Sequence, residues 1–196
     1  MGNNVNTCSS EKTPPPRDEE VTNPPFDVIM VGDITGKSCI QARFCTGIYD
    51  PARGYTVGFE VGHKKMVVDN EEIELRIYDT CNSETAYRAF QQTYEYGKRS
   101  PNGIILVYDI TRESTFSNLR TTWLERIQHD FGLDVPIIVV GNKCDLESER
   151  TVKQSEVEEF CDDVPQIICA VLSSAKTNKN IEFIFTHLAI EMKVHT

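Results

Sequence analysis

Residues 32–38 read Gly-Asp-Ile-Thr-Gly-Lys-Ser directly after an apolar run. A glycine-containing loop that opens a helix with Lys-Ser can gather backbone N–H groups around a phosphate. The lysine neutralises charge there, and the serine hydroxyl can hold Mg²⁺. Gly32, Asp33, Thr35, Gly36, Lys37, Ser38 and Cys39 are therefore candidate phosphate-binding residues. Three residues separate Gly32 from Gly36, where the usual pattern has four, and Ile34 and Thr35 are β-branched and resist positive φ. An ordinary strand-to-helix turn has much the same composition.

Two later loops carry a different chemistry. Asn142-Lys143-Cys144-Asp145 follows one apolar run, and Ser173-Ser174-Ala175-Lys176 follows another. A carboxylate beyond a strand end, here Asp145, can accept both N1–H and the 2-amino group of guanine. Adenine offers neither donor and would leave that carboxylate unpaired. Lys143 can lay its aliphatic stem along the base, and the Ala175 N–H can reach the guanine O6. A polar loop after a strand is the plain alternative for either segment alone; the two loops and the phosphate loop in this order leave it little room.

The elements that must position these residues are legible as alternating patterns. Phe26–Val31 is an apolar strand, and the stretch 39–44 opens a helix. Strands are expected at 65–69 and 71–78, with Asn70 between them in a tight hairpin turn. The runs 103–109, 136–141 and 166–172 read as further strands, the first two buried on both faces. Phe116, Leu119, Trp123, Leu124 and Ile127 repeat at helical spacing, as do Ile181, Ile184, Phe185, Leu188 and Met192, and 155–161 is a shorter helix. Strands alternating with helices imply an α/β domain with a mostly parallel sheet, which binds ligands beyond the carboxyl ends of its strands.

Composition narrows the function classes. A chain of 196 residues with 26% charged residues and a net charge of −10 is globular and acidic. That field repels phosphate polymers, so nucleic acid is not expected as a partner. Residues 1–25 hold five prolines and little that is apolar, which predicts a disordered arm ahead of one domain over 26–196. Seven cysteines without paired spacing read as reduced, mostly buried thiols of a cytoplasmic protein, with no signal peptide or bilayer-spanning run expected. The four histidines lack metal-ligand spacing.

Residues 26–193 resemble a Ras-superfamily small GTPase, most like the Rab family. Gly-Ile-Ile-Leu-Val-Tyr-Asp-Ile-Thr at 103–111 and Val-Gly-Asn-Lys-Cys-Asp-Leu at 140–146 carry the likeness, as does Tyr55-Thr56-Val57-Gly58-Phe59-Glu60 for a first switch. The resemblance implies a P-loop G domain with a six-stranded, mostly parallel sheet and helices on both faces. It implies GTP and GDP as ligands, and Mg²⁺ held by Ser38, Thr56 and, through water, Asp79. It places Tyr49 beside the guanine and Ser174, Ala175 and Lys176 in the base loop. It also implies effector, exchange-factor and activating proteins as partners through 49–60 and 79–103, with a role in vesicle transport, cytoplasmic and peripheral on endomembranes.

Departures fall where the family does its chemistry. After Asp79-Thr80 the family continues Ala-Gly-Gln-Glu, whereas this chain reads Cys81-Asn82-Ser83-Glu84. Asn82 stands in place of the γ-phosphate-sensing glycine, and Ser83 in place of the catalytic glutamine. About four extra residues precede Gly103, within a loop expected at 97–103. The C-terminal residues 192–196 include no cysteine for prenylation, so membrane association is left open. The expectation is a slow GTPase switch. Its alternative is a non-hydrolysing G-domain scaffold acting through protein partners, while a P-loop kinase or ATPase conflicts with the guanine-reading loops.

Overall fold

The computed structural model describes residues 24–54, 56–80, 87–88, 91–92 and 100–194. The arm expected at 1–25 lies almost wholly outside these, as do Asn82, Ser83 and the part of the loop at 97–99.

β1 (Phe26–Val31) is buried from Asp27 onward, and successive residues feed two separate cores. Val28 and Met30 pack on one face of the sheet with Ile40 and Phe44 of α1 (Lys37–Thr46) and Phe185, Leu188 and Met192 of the C-terminal helix. Ile29 and Val31 pack on the other face with Phe116, Leu119, Trp123, Ile127, Val157 and Phe160. This period-two division of a continuous apolar run is what a strand covered on both faces requires. Each of these side chains contributes about 1.5–3 kcal/mol relative to its exposed state, so the layers themselves hold the loops above them in place.

Six strands form one sheet, in the order β2 (Phe59–Val68), β3 (Glu71–Thr80), β1, β4 (Gly103–Asp109), β5 (Ile137–Asn142) and β6 (Ile167–Leu172). β2 is antiparallel to β3, and every other pairing is parallel. The hairpin strands run further than the patterns at 65–69 and 71–78 suggested. Asp69 and Asn70 together make the turn with φ of 52° and 64°, the doubly left-handed geometry of a two-residue hairpin loop. The earlier half of β2 was missed because an edge strand with one wet face carries polar residues that read as loop.

From central β1 the chain runs to β3 on one side and to β4 on the other. The crevice therefore opens beyond the carboxyl end of β1, at the point where the strand order reverses. β5 and β6 end along the same edge. The register sets Met30 beside Asp79 and Asp109 beside Asn142 at that edge.

The crossing helix is not one regular helix. α2 (Glu113–Asn118) passes into a π-turn at Leu119–Trp123 and only then into α3 (Leu124–Phe131). The Leu124 N–H bonds back five residues to Leu119 O, the signature of one extra residue in the turn. α4 (Gln154–Asp163) and α5 (Ile181–Val194) complete the layers, and the Phe44 and Phe185 rings stack at 3.9 Å to join α1 to α5. The described cysteines, at 39, 45, 144, 161 and 169, are free thiols but half-buried rather than fully buried. No helix among the described residues is long and apolar enough to cross a membrane.

Candidate functional site

The loop after β1 is shaped by its two glycines. Gly32 has a φ of +135°, and a Cβ there would lie 2.1 Å from Val107 O, so a side chain cannot be accommodated. Gly36 caps α1 in the left-handed region, with a Cβ position 2.7 Å from the Asn142 amide nitrogen. Ile34 and Thr35 are not among the residues with positive φ; the two glycines carry the reversal. Thr35 N–H closes back on Asp33 O at 2.9 Å, so this tight turn directs one loop donor inward. Lys37 is buried, and its ammonium donates to Gly32 O and Asp33 O at 2.6 and 2.8 Å. Asp33, Thr35, Gly36, Lys37, Ser38 and Cys39 line a cavity of about 130 Å³ together with Arg53, Thr56 and Thr80.

Ser38 and Thr56 of this cavity meet the buried Asp79 carboxylate in a set of three oxygens that hydroxyl protons alone cannot satisfy. Ser38 Oγ and Thr56 Oγ1 both donate to Asp79 Oδ2, at 2.5 and 2.9 Å, yet lie 2.7 Å from each other. Each hydroxyl has one proton, so the third short contact has none. Among the described residues, the buried Asp79 Oδ1 has no hydrogen-bond partner. Burial holds the Asp79 carboxyl above its ordinary value, against the opposing Lys37 charge and the two hydroxyl bonds. A hard cation shared by these oxygens removes both conflicts, and an all-oxygen donor set with room for water suits Mg²⁺.

A second cavity, of about 240 Å³, adjoins the first through Gly36 and Cys39 and is lined by Tyr49, Asn142, Lys143, Asp145, Leu146, Ala175 and Lys176. Asn142 ties three loops together. Its amide donates to Thr35 O at 2.8 Å, while its oxygen accepts from Ala175 N–H at 3.3 Å and Ser173 Oγ at 3.4 Å. The Ala175 N–H, expected to be free for a base, is thus turned toward Asn142 over a long bond. Lys143 takes the left-handed conformation, with φ of 68°, at a cost of about 1–2 kcal/mol for an L side chain. Its ammonium is fixed by Asp109 Oδ2 at 2.6 Å, which draws its stem along the cavity. Asp145 accepts from Ser174 Oγ at 2.6 Å and faces the Lys176 ammonium at 3.8 Å. The 173–180 loop closes by reciprocal bonds between Ser174 and Lys179, with Asn178 and Asn180 supplying the positive φ values that asparagine tolerates.

Four positioning residues escaped the sequence reading. Asp109 is wholly buried; burial works against its charge, but bonds from Lys143 and Thr111 outweigh that and hold the carboxyl below its ordinary value. A charge closing a run of apolar strand residues was the available signal. Arg43 of α1 donates to Ala175 O at 2.9 Å and Lys176 O at 3.0 Å and lies 5.7 Å from the centre of the Tyr49 ring, so it braces both walls of the base cavity. Nothing in its spacing announced this. Trp123 Nε1 and Asn118 Nδ2 donate to the two oxygens of Asp33, at 3.1 and 2.7 Å, which ties the phosphate loop to the π-turn.

Two adjoining cavities at the reversal point of a doubly covered sheet, one walled by a glycine-bounded loop that opens a helix with Lys-Ser, fit a nucleotide-binding domain of the P-loop kind. The Ras family model matches residues 27–194, and the chain belongs to the Ras family. It is thus a small GTPase, a nucleotide-binding switch whose relatives bind GTP and GDP with Mg²⁺ and engage regulators and effectors.

Proposed function

We propose that this chain is a Rab-like switch selective for guanine nucleotides. In this reading it binds GTP and GDP with Mg²⁺, hydrolyses GTP slowly, and serves vesicle transport at the surface of endomembranes. The observation that carries guanine selectivity is the convergence of Asn142, Lys143, Asp145, Ala175 and Lys176 on one cavity beside the phosphate loop. Asp145 is the carboxylate that takes two hydrogen bonds from guanine, with Ser174 and Lys176 orienting it. Lys37 meets the β- and γ-phosphates, aided by the first N–H groups of α1. Ser38 and Thr56, with Asp79 acting through water, would hold the metal, which would supply positive charge against the phosphates. The domain spans 26–196, preceded by an arm over 1–25.

Slow hydrolysis rests on Ser83, too short to orient water as a glutamine does, and on Asn82, which adds a Cβ where the family has a glycine. Partners would engage 49–60 and 79–103; Val57, 93% exposed, offers them an apolar contact in the first of these. The Rab-like stretches at 103–111 and 140–146 support the trafficking role.

Competition binding with GDP, XDP and ADP tests the base assignment. GDP should displace bound nucleotide and ADP should not, while Asp145→Asn should lose about 2–3 kcal/mol of guanine binding and favour xanthine. Equal displacement by ADP refutes guanine selectivity. Failure of the unmutated protein to hold any nucleotide would favour the scaffold alternative.

A further inference from the structure

Arg53 is the residue of the phosphate cavity that the switch chemistry just described leaves unused. Among the residues lining that cavity, Lys37 and Arg53 carry the positive charge. Its backbone is fixed on both sides. Asp50 closes a turn onto it, accepting Arg53 N–H on its carbonyl at 3.3 Å and Ala52 N–H on its carboxylate at 2.8 Å. Three residues further on, Thr56 is bonded to Ser38 and Asp79. Arg53 therefore lines the phosphate cavity between two fixed points of the chain, the turn at Asp50 and the bonded Thr56. It lines this cavity with Lys37, Ser38 and Cys39 of the first turn of α1.

In this structure Arg53 is engaged by the Glu60 carboxylate of β2. Both partners are partly in water, with side chains 30% and 49% exposed, and an ion pair of that kind holds weakly. A γ-phosphate in the cavity offers more charge and a fork-shaped acceptor that matches the guanidinium. The tight turn at Asp33–Thr35 also directs one loop N–H inward, so this site has more need of a second cation than a loop of ordinary length.

We propose that Arg53 is an arginine supplied in cis for GTP hydrolysis, and that Glu60 holds it aside until the γ-phosphate is bound. This rests on the reading of the chain as a GTP-hydrolysing switch. Water attacks the γ-phosphorus, a new P–O bond forms, and the bond to the β–γ bridging oxygen breaks with its electrons. GDP departs, and the proton from water leaves with inorganic phosphate. Arg53 donates to the γ-phosphate oxygens and the bridging oxygen, where charge accumulates as that bond breaks. An activating partner then needs to supply only the water-orienting group missing at Ser83, not an arginine.

Single-turnover GTP hydrolysis and GDP affinity, measured on the full chain for Arg53→Ala, Arg53→Lys and Glu60→Gln, provide the test. Arg53→Ala should slow hydrolysis on the order of 10³-fold, the low end for supplied arginines, while GDP affinity changes by less than about threefold. Arg53→Lys should recover only part of the rate, since it keeps the charge and loses the fork. Glu60→Gln should speed hydrolysis by releasing the latch. GDP with aluminium fluoride, a mimic of the transferring phosphoryl group, should bind the unmutated protein without a partner and fail to bind Arg53→Ala. Hydrolysis by Arg53→Ala within twofold of the unmutated rate, with GTP bound normally, overturns the assignment alone. An equal loss of GDP affinity and rate overturns it in favour of a ground-state phosphate clamp. Failure of the unmutated protein to bind GTP overturns the functional reading and this assignment with it.

Discussion

Replacing Trp123 with phenylalanine isolates the tie between the π-turn and the phosphate loop. The indole N–H bonds Asp33 Oδ1 at 3.1 Å, and Asn118 Nδ2 bonds Oδ2 at 2.7 Å. Asn118 and Trp123 are five residues apart, which on a regular helix would set them about 140° apart. The π-turn, with its bonds spanning five residues, swings them onto one side so that both reach one carboxylate. Phenylalanine keeps the aromatic packing against Tyr87, whose ring meets Trp123 edge-on at 5.5 Å, and loses the N–H. A hydrogen bond to a charged group is worth about 1.5–3 kcal/mol, and partial access of water to Asp33 reduces this to about 1–2. If the tie holds the loop in its phosphate-binding shape, that energy appears as about a 5- to 30-fold weaker affinity for GDP. Asn118→Ala, at an exposed bond, should cost less, and the double variant should depart from additivity because both donors serve one carboxylate. Dissociation of a fluorescent GDP analogue, measured beside thermal unfolding, separates the effects. Unchanged GDP dissociation in Trp123→Phe, whatever happens to its melting temperature, refutes the idea that the π-turn shapes the loop.

Asp109→Asn should destabilise the fold by about 1–2 kcal/mol at neutral pH and weaken guanine binding, because Lys143 loses the carboxylate that fixes it. The Asp109 carboxyl is held below its ordinary value, so its contribution is complete above about pH 4 and is lost as pH falls through the lowered folded value. Urea unfolding at pH 7 and in acid should show the gap between variant and parent closing at low pH, and a constant gap contradicts the assignment. For the chemical step, Ser83→Gln, alone or with Asn82→Gly, should raise the single-turnover rate over the parent. No acceleration in either would mean that the rate is limited elsewhere, and the reasoning from Ser83 fails.

The sequence by itself determined which residues could bind nucleotide and in what order. Phosphate loop, Asp79, Asn142–Asp145 and Ser174–Lys176 each stand at the end of an expected strand, and strand ends on one edge of a parallel sheet must lie together. It also set the division of β1 between two cores, because alternation along a strand is a local property. What only the tertiary structure decided are the contacts that join residues far apart in the chain. Asp33 meets Trp123 ninety residues away, and Arg43 meets Ala175 at a separation of 132. The apolar spacing from Phe116 to Ile127 fits one regular helix well enough that the extra residue of the π-turn left no trace in it. A helix tolerates the wider turn when a partner outside it takes up the redirected side chains, and that partner, the Asp33 carboxylate, is fixed by the fold and not by any local pattern.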